Sequence, residues 1–91
     1  TTMHFMPDHL HNLEEWILWL LKQEFSNRAT PSQLAQRTGF DPSSVEAAIL
    51  VLENSRDLAV WKRGTVIEEV KLTPQGQRSY FQLKEREDKQ S

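Results

Sequence analysis

The sequence has no cysteine, so it can form neither a disulfide framework nor a thiolate metal site. This composition is typical of cytoplasmic proteins, and we expect that location. Glycine and proline are scarce, at 3 and 4 of 91 residues, and the composition is that of a folded chain rather than a disordered one. An excess of positive charge is also lacking, because 11 Lys and Arg face 13 Asp and Glu. The sequence therefore lacks the overall basic character that DNA-binding domains usually show.

No hydrophobic run is long enough to cross a membrane. The longest, Trp16–Leu21, is flanked by charged residues and falls far short of the roughly 20 residues that a membrane span requires. We expect it to be a buried helix segment in a protein without a membrane partner. The length suits one domain, which we place at residues 1–84, followed by a charged, frayed helix end at 85–91.

Signatures of catalysis and of metal binding are missing as well. The adjacent acids Glu14-Glu15 and Glu68-Glu69 would point to different faces of a helix or strand, so neither pair forms a catalytic dyad. His9 and His11, with His4 nearby, lack an obvious fourth ligand, and we expect them to be solvated. We therefore predict no enzyme, no catalytic residues, no metal site and no cofactor.

The first predicted helix ends near Phe25 and starts at one of two caps. Asn12 followed by Glu15 makes a capping-box pattern, and Asp8 offers an earlier start. Trp19 falls nearly opposite the apolar stripe of this helix, so we expect an exposed indole that has a protein partner. The alternative is that helix four or the segment His4–Met6 covers it. The apolar stripe consists of Leu10, Leu13, Ile17, Leu20 and Leu21.

Two capped helices follow a polar connection at residues 26–29. Thr30-Pro31-Ser32-Gln33 supplies an N-cap, a proline at the first helical position and a capping-box Gln. This helix ends at Gly39, and Asp41-Pro42 starts the next by the same logic, leaving only Gly39-Phe40 between them. That is helix-turn-helix spacing.

The second half of the chain predicts a hairpin and a last helix. Leu58–Arg63 and Thr65–Leu72 are β-prone, and Gly64 between them is the turn residue. Thr73-Pro74 then caps a fourth helix that carries Tyr80, Phe81 and Leu83.

This order of elements resembles the winged helix-turn-helix superfamily, in the style of small MarR- or PadR-like bacterial regulators. Four segments carry the resemblance: Pro31–Phe40, the third helix ending in Leu52-Glu53, the strand after Asp57-Leu58, and the turn Leu72-Thr73-Pro74-Gln75-Gly76. The resemblance implies an α+β fold with a three-helix core, a two-stranded wing and a C-terminal helix. It also implies a transcriptional regulator that binds double-stranded DNA as a homodimer, with the third helix in the major groove.

Carried over to this sequence, DNA binding would use side chains near helix two, at the start of helix three and in the wing. Each also has a simpler explanation, since Thr30 and Ser43 could serve only as helix-terminus residues and Lys62-Arg63 only as a solvated turn. The predicted DNA-binding residues are Arg28, Thr30, Ser32, Gln33, Ser43, Ser44, Lys62, Arg63 and Thr65.

The third helix departs from the pattern of a DNA reader. It contains no Lys or Arg, and it is apolar beyond its core face of Val45, Ala48, Ile49 and Leu52. A helix that is apolar nearly all round is usually buried all round. The alternative function is therefore a protein–protein interaction module that does not bind DNA. Its predicted interface residues are Trp19, Ala47, Leu50 and Val51.

Overall fold

The computed structural model of the protein describes residues 6–90. The elements in chain order are α1 (Leu13–Gln23), β1 (Arg28–Ala29), α2 (Pro31–Thr38), α3 (Pro42–Asn54), β2 (Leu58–Arg63), β3 (Val66–Leu72) and α4 (Pro74–Gln90). The strands form an antiparallel sheet in the order β1-β3-β2, and β2 and β3 form the wing. The α+β winged-helix architecture predicted from the sequence is confirmed.

Helix α1 lies at the centre of the core. It begins after Asn12, whose side chain accepts a hydrogen bond from the Glu15 amide at 2.9 Å, so Asp8 is not the cap. Every residue from Trp16 to Leu21 is buried, because α3, α4 and the sheet contact the helix from several sides. Helix α1 is therefore a central helix rather than one with a single apolar face.

The caps of α2 form as the sequence predicts. The Thr30 hydroxyl accepts from the Gln33 amide at 3.2 Å, and the Gln33 side chain accepts from the Thr30 amide at 2.9 Å. At the other end, Gly39 has a φ of 78°, which costs glycine little. These local interactions fix both ends of α2 and the short turn into α3.

The prediction of a plain polar connection before α2 was wrong, because its last two residues form β1. Ser26 and Asn27 have φ values of 55° and 74°, which turn the chain back towards the sheet. Ala29 then pairs with Val70 of β3 and is buried. The sequence gives little sign of this strand, since two residues are too few to show alternation.

A bulge shapes the wing. Trp61 pairs with Glu69 and Lys62 pairs with Ile67, so Glu68 is an extra residue on β3. Without an extra residue, Ile67 and Val70 would point to opposite faces of the sheet, yet both are buried. The bulge thus keeps the wing attached to the core while its tip extends into solvent.

The Leu-Thr-Pro-Gln-Gly turn joins the wing to α4 through Asp57. The Thr73 amide donates to the Asp57 carbonyl at 3.1 Å, and the Thr73 hydroxyl accepts from the Gly76 amide at 3.0 Å. The buried Asp57 carboxylate accepts from the hydroxyls of Ser55 and Ser79 at 2.7 and 2.8 Å. This network fixes the end of α3, the start of β2 and the start of α4 relative to one another.

Helix α4 continues well past residue 84. Arg86 donates to the Glu15 carboxylate at 2.8 Å and to the His9 carbonyl at 2.9 Å, which ties α4 to the start of α1. Burial raises the pKa of Glu15, but the hydrogen bonds from Arg86 and from the His11 amide, together with nearby positive charge, outweigh it and hold that pKa below its usual value. The proposed boundary at residue 84 therefore falls inside a helix, and fraying of the charged end stays a prediction. In the part of the chain described here, no helix has the length and hydrophobicity to cross a membrane.

Candidate nucleic-acid interface

The first turn of α3 presents two exposed or half-exposed serines. Ser43 donates to the Asp41 carboxylate at 2.9 Å. Hydrogen bonds from the hydroxyls of Ser44 and Ser43 lower the pKa of Asp41. Asp41 lies at the N-cap of α3, where the helix dipole and free amides favour a negative charge. Both of these serines, which were predicted to bind DNA, thus already have an anionic partner in the free protein.

Farther along α3, the solvent-facing surface is apolar. Val45, Ala48, Ile49 and Leu52 are buried, as predicted. On the other side Ala47 is exposed, and Leu50 and Val51 are 46% and 54% exposed. The middle of the exposed surface of α3 is therefore occupied by side chains that have no hydrogen-bond donors or acceptors. This agrees with the predicted departure from a helix that reads DNA bases.

The predicted contacts near α2 are partly engaged in capping. Thr30 and Gln33 use the side-chain atoms described above to cap the helix, whereas Ser32 is exposed. Arg28 lies in β1, outside α2, and donates to Glu69 of β3 at 2.6 Å. These residues lie next to one another at the junction of β1 and α2, and Arg28 is neutralised locally.

The wing tip is exposed at all three predicted positions, Lys62, Arg63 and Thr65. Lys62 Nζ lies 3.7 Å from a Glu53 oxygen of α3, and Arg63 Nε lies 3.3 Å from a Glu68 oxygen. The first ion pair joins the wing to the end of α3. The tip therefore carries two cations at positions predicted to contact DNA, each with a carboxylate beside it.

Two exposed apolar residues of the wing were missed. Trp61 is 49% exposed on β2, and Val66 is exposed at the start of β3. The alternation of β2 could have indicated Trp61, because Leu58 and Val60 lie on the inner face and Trp61, the next residue after Val60, must point to the outer face. Trp61 adds an aromatic surface to the wing that the predicted site did not contain.

The prediction that Trp19 is exposed was wrong. Trp19 is only 8% exposed, since the His9 ring packs edge-on against it at 4.4 Å and the Tyr80 ring lies 5.2 Å away. Helix α4 covers it, which is one of the two alternatives considered above, and His9 in the turn before α1 covers it as well. His4 and Phe5 lie outside the described residues. Trp19 therefore offers no surface to a partner unless α4 moves, whereas Phe81 of α4 is 52% exposed.

The described histidines differ in environment. His11 is exposed beside Glu15, but the prediction of a solvated side chain was wrong for His9, which is buried against Trp19. His4 lies outside the described residues. Within residues 6–90 no three His, Cys, Asp or Glu side chains are grouped so as to hold a metal ion.

A groove lies between α1, the end of α3 and α4. Its volume is about 340 Å³, and Leu18, Val51 and Leu83 provide its apolar part. Glu15, Asp57 and Arg86 line it too, but each of these charged groups already has a partner inside the protein. The groove is thus a partly apolar extension of the exposed surface of α3.

The fold is similar to that of a known repressor. The structure of the adhesin competence repressor (AdcR) from Streptococcus pyogenes, a MarR-family regulator, superimposes with a TM-score of 0.70 at 26% sequence identity. The match covers 89% of this chain and 60% of the repressor, so the chain spans about three fifths of that protein's length. No protein-family model matches the sequence, and no curated protein is significantly similar to it. The shared order of helices, turn and wing nevertheless makes this chain a member of the winged helix-turn-helix superfamily.

Proposed function

We propose that this chain is the DNA-binding domain of a transcriptional regulator that acts as a homodimer in the cytoplasm. The observation that carries the proposal is the exposure of Ser43 at the start of α3 together with the wing cations Lys62 and Arg63. The similarity to a MarR-family repressor supports it. In this fold, α3 would enter the major groove from its N-terminal end, and the wing would contact the phosphate backbone.

Each group in this arrangement would have a definite role. Ser43 and Ser44 would donate to base edges or phosphates, while Lys62, Arg63 and Thr65 would contact the backbone beside them. Because α3 brings no cation to the groove, sequence discrimination by direct hydrogen bonds would be modest. The chain should thus bind DNA with weak sequence preference unless a second protomer doubles the contacts.

Dimerisation would use surfaces outside the wing. Phe81 is exposed on α4, whereas Trp19 of α1 is covered by α4. Helix α4 rather than α1 therefore offers an apolar contact to a second copy.

The test is a fluorescence-anisotropy titration of the purified domain with mixed duplex fragments at low and physiological salt, with light scattering for its mass. We expect binding by a dimer that weakens steeply as salt is raised, because phosphate neutralisation releases counterions. Absence of binding even at low salt would contradict the proposal.

A second candidate function is protein–protein interaction through α3. The exposed apolar residues Leu50 and Val51 favour it, since contiguous exposed apolar side chains commonly mark contact surfaces. Ala47 lies on the same exposed side. In this case Leu50→Arg should reduce the mass of the assembly in light scattering, or its affinity for a partner, while leaving the fold intact. If both are unchanged, with Glu46→Gln as the neighbouring control, α3 is not an interface.

A further inference from the structure

We infer that four carboxylates of this chain occupy the places where DNA phosphates would bind, and that they hold its affinity for DNA low. The four, named here the shielding carboxylates, are Asp41, Glu53, Glu68 and Glu69. This inference rests on the proposed function, because it concerns the regulation of the same surface. It is carried by the pairing of the predicted contacts Arg28, Lys62, Arg63 and Ser43 with these carboxylates.

In the wing, the two shielding carboxylates come from different elements. Glu53 reaches Lys62 from the last turn of α3, and Glu68 reaches Arg63 from the bulge of β3. Since Glu68 is the extra residue at the bulge, the same irregularity that shapes the wing also supplies a carboxylate to its tip. The two cations that would steer the wing to a phosphate backbone are therefore neutralised in the free protein.

Next to α2, Glu69 does the same for Arg28. Arg28 stands directly opposite Lys71 in the register of β1 and β3, and like charges in such positions repel. Glu69 lies on the same face of β3 as Lys71, two residues earlier, and accepts from Arg28 at 2.6 Å. A carboxylate thus offsets a cation pair that would otherwise attract an external anion.

At α3, Asp41 places a carboxylate at the N-cap position, although its side chain makes no capping hydrogen bond to the helix amides. It accepts a hydrogen bond from the Ser43 hydroxyl at 2.9 Å, so this donor is already engaged in the free protein. This third location is independent of the wing, yet it shows the same arrangement of a predicted contact and an internal anion.

These pairs are weak enough to exchange. All lie at the surface, with Arg63 being 84% exposed, and exposed ion pairs contribute little to stability because water and salt screen them. A phosphate could displace each carboxylate from its cation, but the carboxylate would remain close by and repel the phosphate. The expected consequence is measurable DNA binding that is weaker and less salt-dependent than the cations alone would give.

The experiment compares two triple variants by fluorescence anisotropy with a duplex at several salt concentrations. Glu53→Gln/Glu68→Gln/Glu69→Gln removes the wing and β1 partners. Asp8→Asn/Glu14→Gln/Glu85→Gln makes the same charge change on α4 and near the start of α1. We expect at least a tenfold gain in affinity at low salt for the first variant over the second, with a steeper decline as salt is raised.

A separate variant tests α3. Asp41→Asn keeps a residue that caps helices well, so it should raise affinity without unfolding α3, as circular dichroism would verify. If wild type binds DNA and the shielding and control variants gain equally, the inference is wrong while the proposed function stands. If neither wild type nor any variant binds, both are wrong.

Discussion

Reversing the charge of Lys62 and Arg63 together should lower the affinity for duplex DNA by about two orders of magnitude at low salt. The double variant Lys62→Glu/Arg63→Glu removes the two proposed phosphate contacts and adds two repulsive charges beside Glu53 and Glu68. The slope of log affinity against log salt concentration should become shallower by the amount expected for the loss of roughly two phosphate contacts. Anisotropy titrations across a salt series measure both effects.

The matched control is Lys84→Glu/Lys89→Glu on α4, which changes the net charge equally at exposed positions away from the wing. We expect the control to lose only a few-fold in affinity, through the long-range field of the protein. The wing residues are exposed at a hairpin tip, so both variants should keep the wild-type melting temperature. Equal losses in the two variants would show that the wing makes no local contact with DNA.

Replacing Gly76 with alanine should destabilise the domain by about 2–3 kcal/mol, although Gly→Ala within a helix normally stabilises. A Cβ at Gly76 would overlap the backbone carbonyl oxygen of Asp57 and come within 2.7 Å of the Leu72 side chain. Relief of this overlap requires α4 to move away from the turn that joins α3 to β2. Thermal unfolding followed by circular dichroism should show a midpoint lower by about 10–20 °C.

Arg78→Ala is the control for this substitution, because Arg78 is exposed in the same helix. Its effect should stay within about 0.5 kcal/mol of wild type. A melting temperature for Gly76→Ala equal to or above that of wild type would mean that α4 does not approach Asp57 as closely as described. Lost DNA binding by this variant at temperatures where it remains folded would show that the junction also positions α3.

Local sequence signals predicted the helix boundaries well. Asn12, Thr30 and Gly39 act through neighbours within four residues, so their roles could be recognised without the tertiary structure. The same holds for Gly64, whose φ of 62° suits the tip of the hairpin. The winged-helix fold could be predicted from the sequence because these signals occur in a characteristic order.

Features that depend on distant partners were harder to predict. Trp19 points away from the apolar stripe of α1, but α4 and His9 cover it. A helical wheel of α1 shows only the residues of α1 and so cannot reveal these partners. Strand β1 has two residues and exists because β3 offers it an edge. Both depend on packing between elements rather than on periodicity within one.

The electrostatics of the candidate site were missed for the same reason. Lys62 and Glu53 are nine positions apart and belong to different elements, and Arg28 and Glu69 are farther apart still. The adjacent acids Glu68-Glu69 were considered only as a catalytic pair and set aside. In the fold, Glu68 and Glu69 point in opposite directions and pair with two different cations, Arg63 and Arg28. Some of the acidic residues that make the net charge negative therefore lie at the predicted DNA surface itself.

The most direct test of DNA binding through α3 and the wing is an NMR titration of the ¹⁵N-labelled domain with a short duplex at low salt. We predict that the largest amide shifts occur at Ser43 and Ser44 and along Lys62–Thr65, with little change at Phe81. Shifts confined to Phe81 and the rest of α4, or no shifts at all, would contradict the assignment of this surface to DNA.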